Sequence, residues 1–221
     1  MTKGIVLVTG GSGRLGRMFL RHTGDRYTLC LTYNSHPFEA PGHEVIQLDV
    51  KDLNSVLRAM QGVEAVVHFA ADSAGRGPWE SMLPNNIVGT YHVFEAARQA
   101  GVSRVIYASS NHAAGYAVKE GFPVGPDAPV RPDSRYGVTK CFAEALGRFY
   151  HDRYGMQVIC LRIGTCPVGL YAGDELVADI HSCHACPFQK LSFPLLFDGP
   201  DFTQGFHCRS PFLELLSCRS M

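Results

Sequence analysis

The feature that most constrains the fold is an apolar run that passes directly into a glycine-rich turn. Residues 3–9, KGIVLVT, form a continuous β-branched stretch, which is typical of a strand buried on both faces. TGGSGRLG (9–16) follows, and RLGRMFLRHTG (14–24) then has helical spacing with Gly24 as its stop. A buried strand, a glycine turn and a helix in this order predict the first unit of an α/β domain.

Strand and helix patterns keep alternating as far as Gly164. Further strands are predicted at 27–33, 43–50, 63–71, 102–110 and 156–164, and further helices at 51–62, 84–101 and 134–154. Ser134 is the expected N-cap of the last of these helices. The alternation predicts a doubly wound parallel (Rossmann) sheet with helices on both faces.

The composition fits one well-cored domain with a small appendage. The 221 residues are 46% hydrophobic and hold 20 Lys plus Arg against 20 Asp plus Glu. Because there is no basic surplus, nucleic acid and membrane surfaces are not expected as partners. The first apolar run is too short for a signal peptide, and none reaches the roughly 18 residues of a membrane span. We therefore expect a soluble protein of the cytoplasm.

The glycine loop predicts a dinucleotide site. Gly10, Gly13 and Gly16 form G-x-x-G-x-x-G, which permits a tight turn and a close approach of backbone to a pyrophosphate at the helix N-terminus. No G-K-[ST] follows, which disfavours a nucleoside-triphosphate P-loop. We expect residues 1–166 to form this dinucleotide-binding catalytic domain, and 167–221 to be a divergent, irregular tail with an incomplete substrate-binding part.

The end of the second strand bears on the choice of cofactor. It reads LTYNSHP and lacks the carboxylate that would bind the adenosine ribose of NAD. This absence removes a repulsion of the 2′-phosphate, and Arg14 and His36 are candidates to contact that phosphate, so NADP is accepted beside NAD. Replacing Tyr33 with Asp is expected to sharpen the preference for NAD. Asp49 is expected at the adenine edge, unless it only caps the next helix.

A tyrosine and a lysine lie four residues apart in RPDSRYGVTKCFAEALGRFY (131–150). At this spacing Tyr136 and Lys140 share one helical face, one turn apart. A lysine so placed lowers the pKa of the phenol and helps it to act as an acid or base. The same spacing occurs by chance in many amphipathic helices, so the pair alone does not decide.

The tail holds a second pattern. Five of the eight cysteines lie in the last quarter of the chain: Cys166, Cys183, Cys186, Cys208 and Cys218. Without a secretory signal we do not expect a disulfide framework. The C-x-x-C pair has histidines nearby, which offers zinc as an alternative; they are His181, His184 and His207. A single C-x-x-C without a matching second pair is a weak signal, and no metal is expected.

Five segments in order resemble the extended short-chain dehydrogenase/reductase family over residues 3–166. They are TGGSGRLG, HFAA after the fourth strand, NNIVGT, the serines ending the fifth strand, and YGVTK. ASSNHAAGY, RPDSRYGVTKCFAEAL and RIGTC are most similar to the uronate dehydrogenases, which oxidise hexuronic acids to aldarolactones with NAD. The resemblance implies an NAD(P)-dependent oxidoreductase acting on a sugar or sugar acid. The resemblance is also compatible with a homo-oligomer.

The resemblance also implies roles for individual residues. Tyr136 matches the catalytic base, and Lys140 the lysine that holds the nicotinamide ribose and lowers the pKa of the tyrosine. Ser110 matches the substrate-orienting serine, and Asn86 the helix asparagine near the cofactor. Substrate contacts are expected from Ser73, Ser110, Asn111 and His112. Cofactor contacts are expected from Gly10, Gly13, Arg14, Leu15, Gly16, Asp49, Val50, Phe69, Ala70, Ala71 and Lys140.

The segment after RIGTCPVG does not resemble that of the uronate dehydrogenases. Those enzymes supply there an arginine for the substrate carboxylate. Arg209 and Arg219 follow in this chain, but no motif places them. The C-terminus is therefore expected to be divergent or truncated. Two alternatives stay open: a sugar-nucleotide epimerase or dehydratase that retains its NAD, and a cofactor-binding or redox-sensing protein with little or no turnover.

Overall fold

A twisted, mostly parallel sheet forms the centre of the computed structural model, which describes residues 4–73, 77–120, 128–164 and 218–220. Within these residues the strands are β1 Ile5–Thr9, β2 Thr28–Tyr33, β3 Glu44–Gln47, β4 Val63–His68, β5 Arg104–Ser110, β6 Gln157–Ile163 and β7 Cys218–Ser220. The spatial order is β3-β2-β1-β4-β5-β6-β7. Strands β1 to β6 are parallel, and β7 pairs antiparallel with β6. The predicted doubly wound sheet is confirmed.

Helices cover both faces of this sheet. They are α1 Arg14–Thr23, α2 Leu53–Ala59, α3 Trp79–Met82, α4 Gly89–Ala100, α5 Gly115–Lys119 and α6 Arg135–Tyr154, with a π-helical turn at Leu83–Val88 and a 3₁₀ turn at Asn111–Ala113. On one face Val8, Ile106 and Phe19 of α1 are buried together. On the other, Phe94 of α4 and Tyr150 of α6 pack in the second core. In the described part of the chain, no helix is both long and apolar enough to cross a membrane.

Several elements differ in their bounds from those predicted. The third strand ends at Gln47 rather than at residue 50, because the chain turns where Asp49 Oδ1 accepts a hydrogen bond from the Lys51 N–H. The fourth strand ends at His68 rather than at residue 71. The helix predicted to begin at Pro84 is preceded by α3, and the π-helical turn accommodates the proline. The short helix that the sequence suggests around residues 212–217 lies outside the described residues.

Helix α6 is held at its start by the predicted cap. The Ser134 hydroxyl accepts a hydrogen bond from the Gly137 N–H at 3.0 Å, which confirms the expectation. The cap satisfies one of the backbone donors that every helix leaves unpaired in its first turn. It also sets where Tyr136 stands relative to the end of β5.

A buried ion pair joins α6 to the two strands beneath it. The Arg162 guanidinium of β6 donates to both carboxylate oxygens of Glu144 at 2.9 and 2.8 Å. The Ser109 hydroxyl of β5 donates to the same carboxylate at 2.6 Å, and Arg162 also donates to the Ala128 carbonyl. The side chains of Arg162 and Glu144 are only 2% and 3% exposed. Each charge therefore depends on its partner for compensation.

We expect Glu144→Leu to destabilise the protein by about 3–5 kcal/mol, because it leaves the Arg162 charge buried and unpaired. The double variant Glu144→Leu/Arg162→Leu should lose less than this single variant, since it removes both charges. Arg148→Ala serves as the control, because its partner Asp152 and Arg148 itself are more than half exposed, and it should leave the unfolding transition unchanged. Urea unfolding followed by circular dichroism measures all three. A double variant less stable than Glu144→Leu would contradict this account.

Candidate active site

A cavity of about 920 Å³ lies across the carboxyl ends of the parallel strands. It spans the switch point between β1 and β4, where the strand order reverses and open α/β sheets bind ligands. The residues lining it are Gly10, Ser12, Gly13, Arg14, Leu15, Thr32, Asn34, Ser35, Leu48, Asp49, Val50, Phe69, Ala70, Ala71, Asp72, Ser73, Ser81, Asn85, Ala108, Ser109, Ser110, Asn111, His112, Tyr136, Lys140, Ile163 and Gly164. Most of the site residues predicted from the sequence are among them.

The glycine loop forms one end of the cavity. Gly10 has φ +70°, and a Cβ there would lie 2.8 Å from the Ala70 amide nitrogen, so a side chain is excluded. Gly13 is the N-cap of α1 and lines the cavity where the helix begins. These positions form a backbone cradle at a helix N-terminus, which fits a pyrophosphate. Gly16, predicted as cofactor-binding, does not line the cavity; it lets α1 pack closely on Gly11.

Tyr136 and Lys140 lie at the other end of the cavity and, as their spacing predicted, on one face of α6. The Lys140 ammonium donates to the Ala108 carbonyl at 2.8 Å and lies 5.1 Å from the centroid of the Tyr136 ring. Burial lowers the pKa of Lys140 to about 7. Burial, and then the charge of Asp72, raises the pKa of Tyr136 to about 12.

In this structure burial and the charge of Asp72 raise the net pKa of Tyr136, so they outweigh any lowering by Lys140. The ammonium lies over the face of the ring and bonds to a backbone carbonyl of β5. Removal from water meanwhile disfavours both charged forms, the phenolate and the ammonium. The sequence showed the pairing of the two side chains, but their burial follows from the packing of α6 on the sheet.

The end of β5 brings three polar side chains to the cavity beside Tyr136. Ser110 accepts a hydrogen bond from the His112 N–H at 3.2 Å and donates to Asn111 Oδ1. The rings of His112 and Tyr136 are in edge-to-face contact, with centroids 6.0 Å apart. Ser110, Asn111 and His112 are thus brought together with Tyr136, as the sequence predicts. Their arrangement suits hydrogen bonds to a small polar ligand.

Asn86 has a different place from the one predicted. It is fully buried and does not line the cavity. Its amide accepts from the Asp72 N–H at 2.7 Å and donates to the Asp72 carbonyl and to the Thr139 hydroxyl. Asn86 therefore positions the loop after β4, where Asp72 and Ser73 line the cavity, rather than contacting a ligand. Ser81 donates a hydrogen bond to the Asp72 carboxylate.

The nucleotide side of the cavity bears on cofactor choice. Thr32 and the two residues that follow β2, Asn34 and Ser35, line the cavity, whereas Tyr33 does not. Asn34 is therefore a more direct position than Tyr33 at which to test cofactor choice. Arg14 lines this end, but His36 does not.

Asp49 lines the cavity, and the residue that caps α2 is Asp52, whose side chain accepts a hydrogen bond from the Asn54 N–H. The Asp49 carboxylate accepts from the Lys51 N–H and lies 3.3 Å from the Lys51 ammonium. Asp49 is therefore not the helix cap that the sequence offered as an alternative, and its role at the adenine edge stays a prediction.

Several lining residues were missed from the sequence. They are Ser12, Thr32, Asn34, Ser35, Leu48, Asp72, Ser81, Asn85, Ala108, Ser109, Ile163 and Gly164. Many of them directly follow the carboxyl end of a strand, and that position was the available signal. Ser81 and Asn85 lie on the helical segment after the fourth strand and carry no such signal. Among the described residues no cluster of His, Cys, Asp and Glu fits a metal ion, and the C-x-x-C segment lies outside them.

Comparison with known proteins identifies the family. Residues 6–176 match the profile of the NAD dependent epimerase/dehydratase family. The chain belongs to this family. A uronate dehydrogenase of Pseudomonas syringae pv. tomato is 42% identical over 164 residues, which cover 72% of this chain and 58% of that protein. An NAD-dependent glucose-6-phosphate dehydrogenase of Haloferax volcanii is 40% identical over 177 residues, covering 72% of this chain and 67% of that protein.

Solved structures agree with this assignment. The NAD complex of a mutant uronate dehydrogenase from Agrobacterium tumefaciens superposes with a TM-score of 0.65 at 34% identity, covering 83% of this chain and 73% of that one. The chain thus shares its fold with these dehydrogenases. It spans 58% of the length of the uronate dehydrogenase from Pseudomonas syringae.

Proposed function

We propose that this chain is an NAD-dependent oxidoreductase that oxidises a hydroxyl-bearing carbon of a sugar or sugar acid, with Tyr136 as the base. The observation that carries the proposal is one continuous cavity with a glycine cradle at one end and Tyr136, Lys140 and Ser110 at the other. A dinucleotide bound along the carboxyl ends of the strands would extend between these two groups. The relatives named as sugar dehydrogenases support the reaction class.

Tyr136 is the proposed proton acceptor. Oxidation breaks a C–H bond, whose electron pair leaves as hydride, and an O–H bond, whose proton passes to the Tyr136 oxygen, while a carbonyl forms. NAD, when bound, supplies the acceptor for the hydride. In its protonated form Lys140 lies beside the Tyr136 ring, in position to stabilise the phenolate. Ser110 orients the substrate hydroxyl by a hydrogen bond.

The proposed substrate is small and rich in hydroxyl groups. Asp72, Ser73 and Ser81 line the cavity on one side of Tyr136, and Asn111 and His112 on the other. Hydroxyl, amide and carboxylate groups accept and donate the hydrogen bonds that a sugar requires. Asp72 adds negative charge near Tyr136, which favours a neutral sugar over a hexuronic acid at that point of the site.

NAD is the proposed cofactor, with weak discrimination against NADP. The NAD complex of the Agrobacterium uronate dehydrogenase supports NAD. Asn34 and Ser35 line the nucleotide end of the cavity, and neither repels a 2′-phosphate as a carboxylate would. Arg14 at the same end offers a charged hydrogen-bond donor.

Tyr136→Phe keeps the ring and removes only the oxygen that takes the proton. We expect kcat to fall by about 10²–10⁴-fold, the usual contribution of a positioned acid or base. NADH binding, followed by its fluorescence, should stay close to wild type. The assay uses a hexuronic acid, an aldopentose and an aldohexose with NAD; turnover of none by the wild type would contradict the proposed function. Product analysis distinguishes oxidation from epimerisation or dehydration.

Gly13→Val tests the glycine cradle. The branched side chain would enter the space where backbone meets the pyrophosphate, so NAD affinity should fall by about tenfold or more, the equivalent of one lost charge-assisted hydrogen bond. Circular dichroism should show the wild-type fold, because Gly13 lies at the surface of the loop. Unchanged NAD affinity in Gly13→Val would mean that the loop serves only as a turn.

Asn34→Asp tests cofactor choice at the position that lines the cavity. The carboxylate should bind the ribose diol of NAD and repel the 2′-phosphate of NADP. We expect the ratio of kcat/KM for NAD over NADP to rise by about tenfold or more, as for one charged hydrogen bond of about 1.5–3 kcal/mol. Tyr33→Asp, whose side chain does not line the cavity, is the matched control and should change the ratio little. A wild-type ratio that strongly favours NADP would contradict the proposal.

A further inference from the structure

We propose that Asp133 is a positioning residue, which orients the His112 ring so that its Nε2 accepts a hydrogen bond from a substrate hydroxyl. The inference rests on the proposed function and adds a second polar contact point to its substrate site. Asp133 lies in the loop before α6 and does not line the cavity, whereas His112 does. Asp133 therefore acts through His112.

A short, defined contact joins the two side chains. His112 Nδ1 lies 2.8 Å from Asp133 Oδ1, and the Lys119 ammonium of α5 lies 3.0 Å from Asp133 Oδ2. The Asp133 side chain is 6% exposed, whereas that of His112 is 45% exposed. A nearly buried carboxylate thus holds the inner side of an imidazole whose outer side remains accessible.

Two glycines let the backbone approach His112 and Asp133 closely. A Cβ at Gly115 would overlap the Asp133 carboxyl group, and a Cβ at Gly137 would overlap the His112 carbonyl oxygen. The His112 N–H donates to the Ser110 hydroxyl at 3.2 Å. Three elements, the 3₁₀ turn after β5, α5 and the start of α6, therefore converge on His112 and Asp133. This close packing fixes the His112 backbone and the Asp133 carboxyl group, and the hydrogen bond between the two side chains then orients the ring.

The carboxylate decides which ring nitrogen carries the proton. Burial alone would raise the pKa of Asp133, but the hydrogen bonds from His112 and Lys119 outweigh it and hold that pKa below its ordinary value. An ionised carboxylate only accepts hydrogen bonds, so Nδ1 must donate. In the neutral ring Nε2 is then an acceptor, as for histidines oriented by a carboxylate at metal sites.

In this proposal Nε2, the ring nitrogen that is not bound to Asp133, is the one that meets the substrate, since His112 lines the cavity. The His112 ring meets the Tyr136 ring edge to face, with centroids 6.0 Å apart, at the end of the cavity where Ser110 also lies. A sugar carbon whose hydroxyl faces Tyr136 would carry its neighbouring hydroxyl within reach of His112. Lys119 offsets the charge of Asp133, so the pair works as an orienting contact.

The first measurement determines the tautomer of His112 in the wild-type protein and compares it with that in two variants. NMR of isotope-labelled histidine rings reports which nitrogen is protonated, and the His112 signals are assigned by their loss in His112→Ala. We expect the wild-type neutral ring to carry its proton on Nδ1. Asp133→Asn, whose amide both donates and accepts, should give a mixture of the two tautomers. Lys119→Met, which keeps the Asp133–His112 hydrogen bond, should retain the wild-type tautomer. A wild-type ring protonated on Nε2 would overturn the inference.

The second measurement separates positioning from a merely structural role. For the most active sugar of the panel, Asp133→Asn should raise KM and lower kcat/KM by about 10- to 100-fold, the range seen when a residue that orients a histidine ligand is lost. NAD affinity should stay at the wild-type value. In the His112→Ala background the same substitution should cause no further loss. An equal loss in both backgrounds would overturn the inference. Turnover of no sugar by the wild type would contradict the proposed function, and the tautomer then decides this inference alone.

Discussion

The parallel direction of β1 to β6 is the constraint on which the rest of the structure depends. Because their carboxyl ends meet at one edge, the loops that follow them share one cavity. Gly13 after β1, Asn34 after β2, Asp72 after β4 and Ser110 at the end of β5 are far apart in the chain and close in space. Helix α6 then adds Tyr136 and Lys140 from above the same edge.

Helix α6 packs on the sheet with two ionisable side chains on its inner face. Its inner face holds Lys140 and, one turn later, Glu144, and both are buried. Each is compensated by a strand: Lys140 bonds to the Ala108 carbonyl of β5, and Glu144 pairs with Arg162 of β6. A buried charge without a partner is costly, so these contacts also lock the helix in one position on the sheet. That position is the one at which Tyr136 meets Ser110 and His112.

Kinship and site geometry answer different questions about this chain. Membership of the NAD dependent epimerase/dehydratase family accounts for the fold. In the proposed function the substrate side depends on Asp72, His112 and Asp133, whose charge and hydrogen bonds give the proposed substrate class a physical basis that the family name does not supply.

Local patterns in the sequence determined much of this protein. The apolar strands, the glycine turn, the Ser134 cap and the four-residue spacing of Tyr136 and Lys140 each depend on neighbouring residues, and a single segment is enough to reveal them. What only the tertiary structure decided rests on contacts between distant segments. Asn86 turned out to hold the loop after β4, and Arg162 to neutralise Glu144.

The same distinction applies to both ends of the cavity. Asn34 and Ser35 line the cavity just after β2 whereas Tyr33 does not, and only the folded chain shows this. The pKa of Tyr136 rises because α6 buries it, and burial depends on the whole sheet beneath. The contact between His112 and Asp133 spans 21 residues and joins a turn after β5 to the loop before α6. The sequence shows the types of these residues and their spacing. Their partners, their burial and the directions in which they point are determined only when the chain packs.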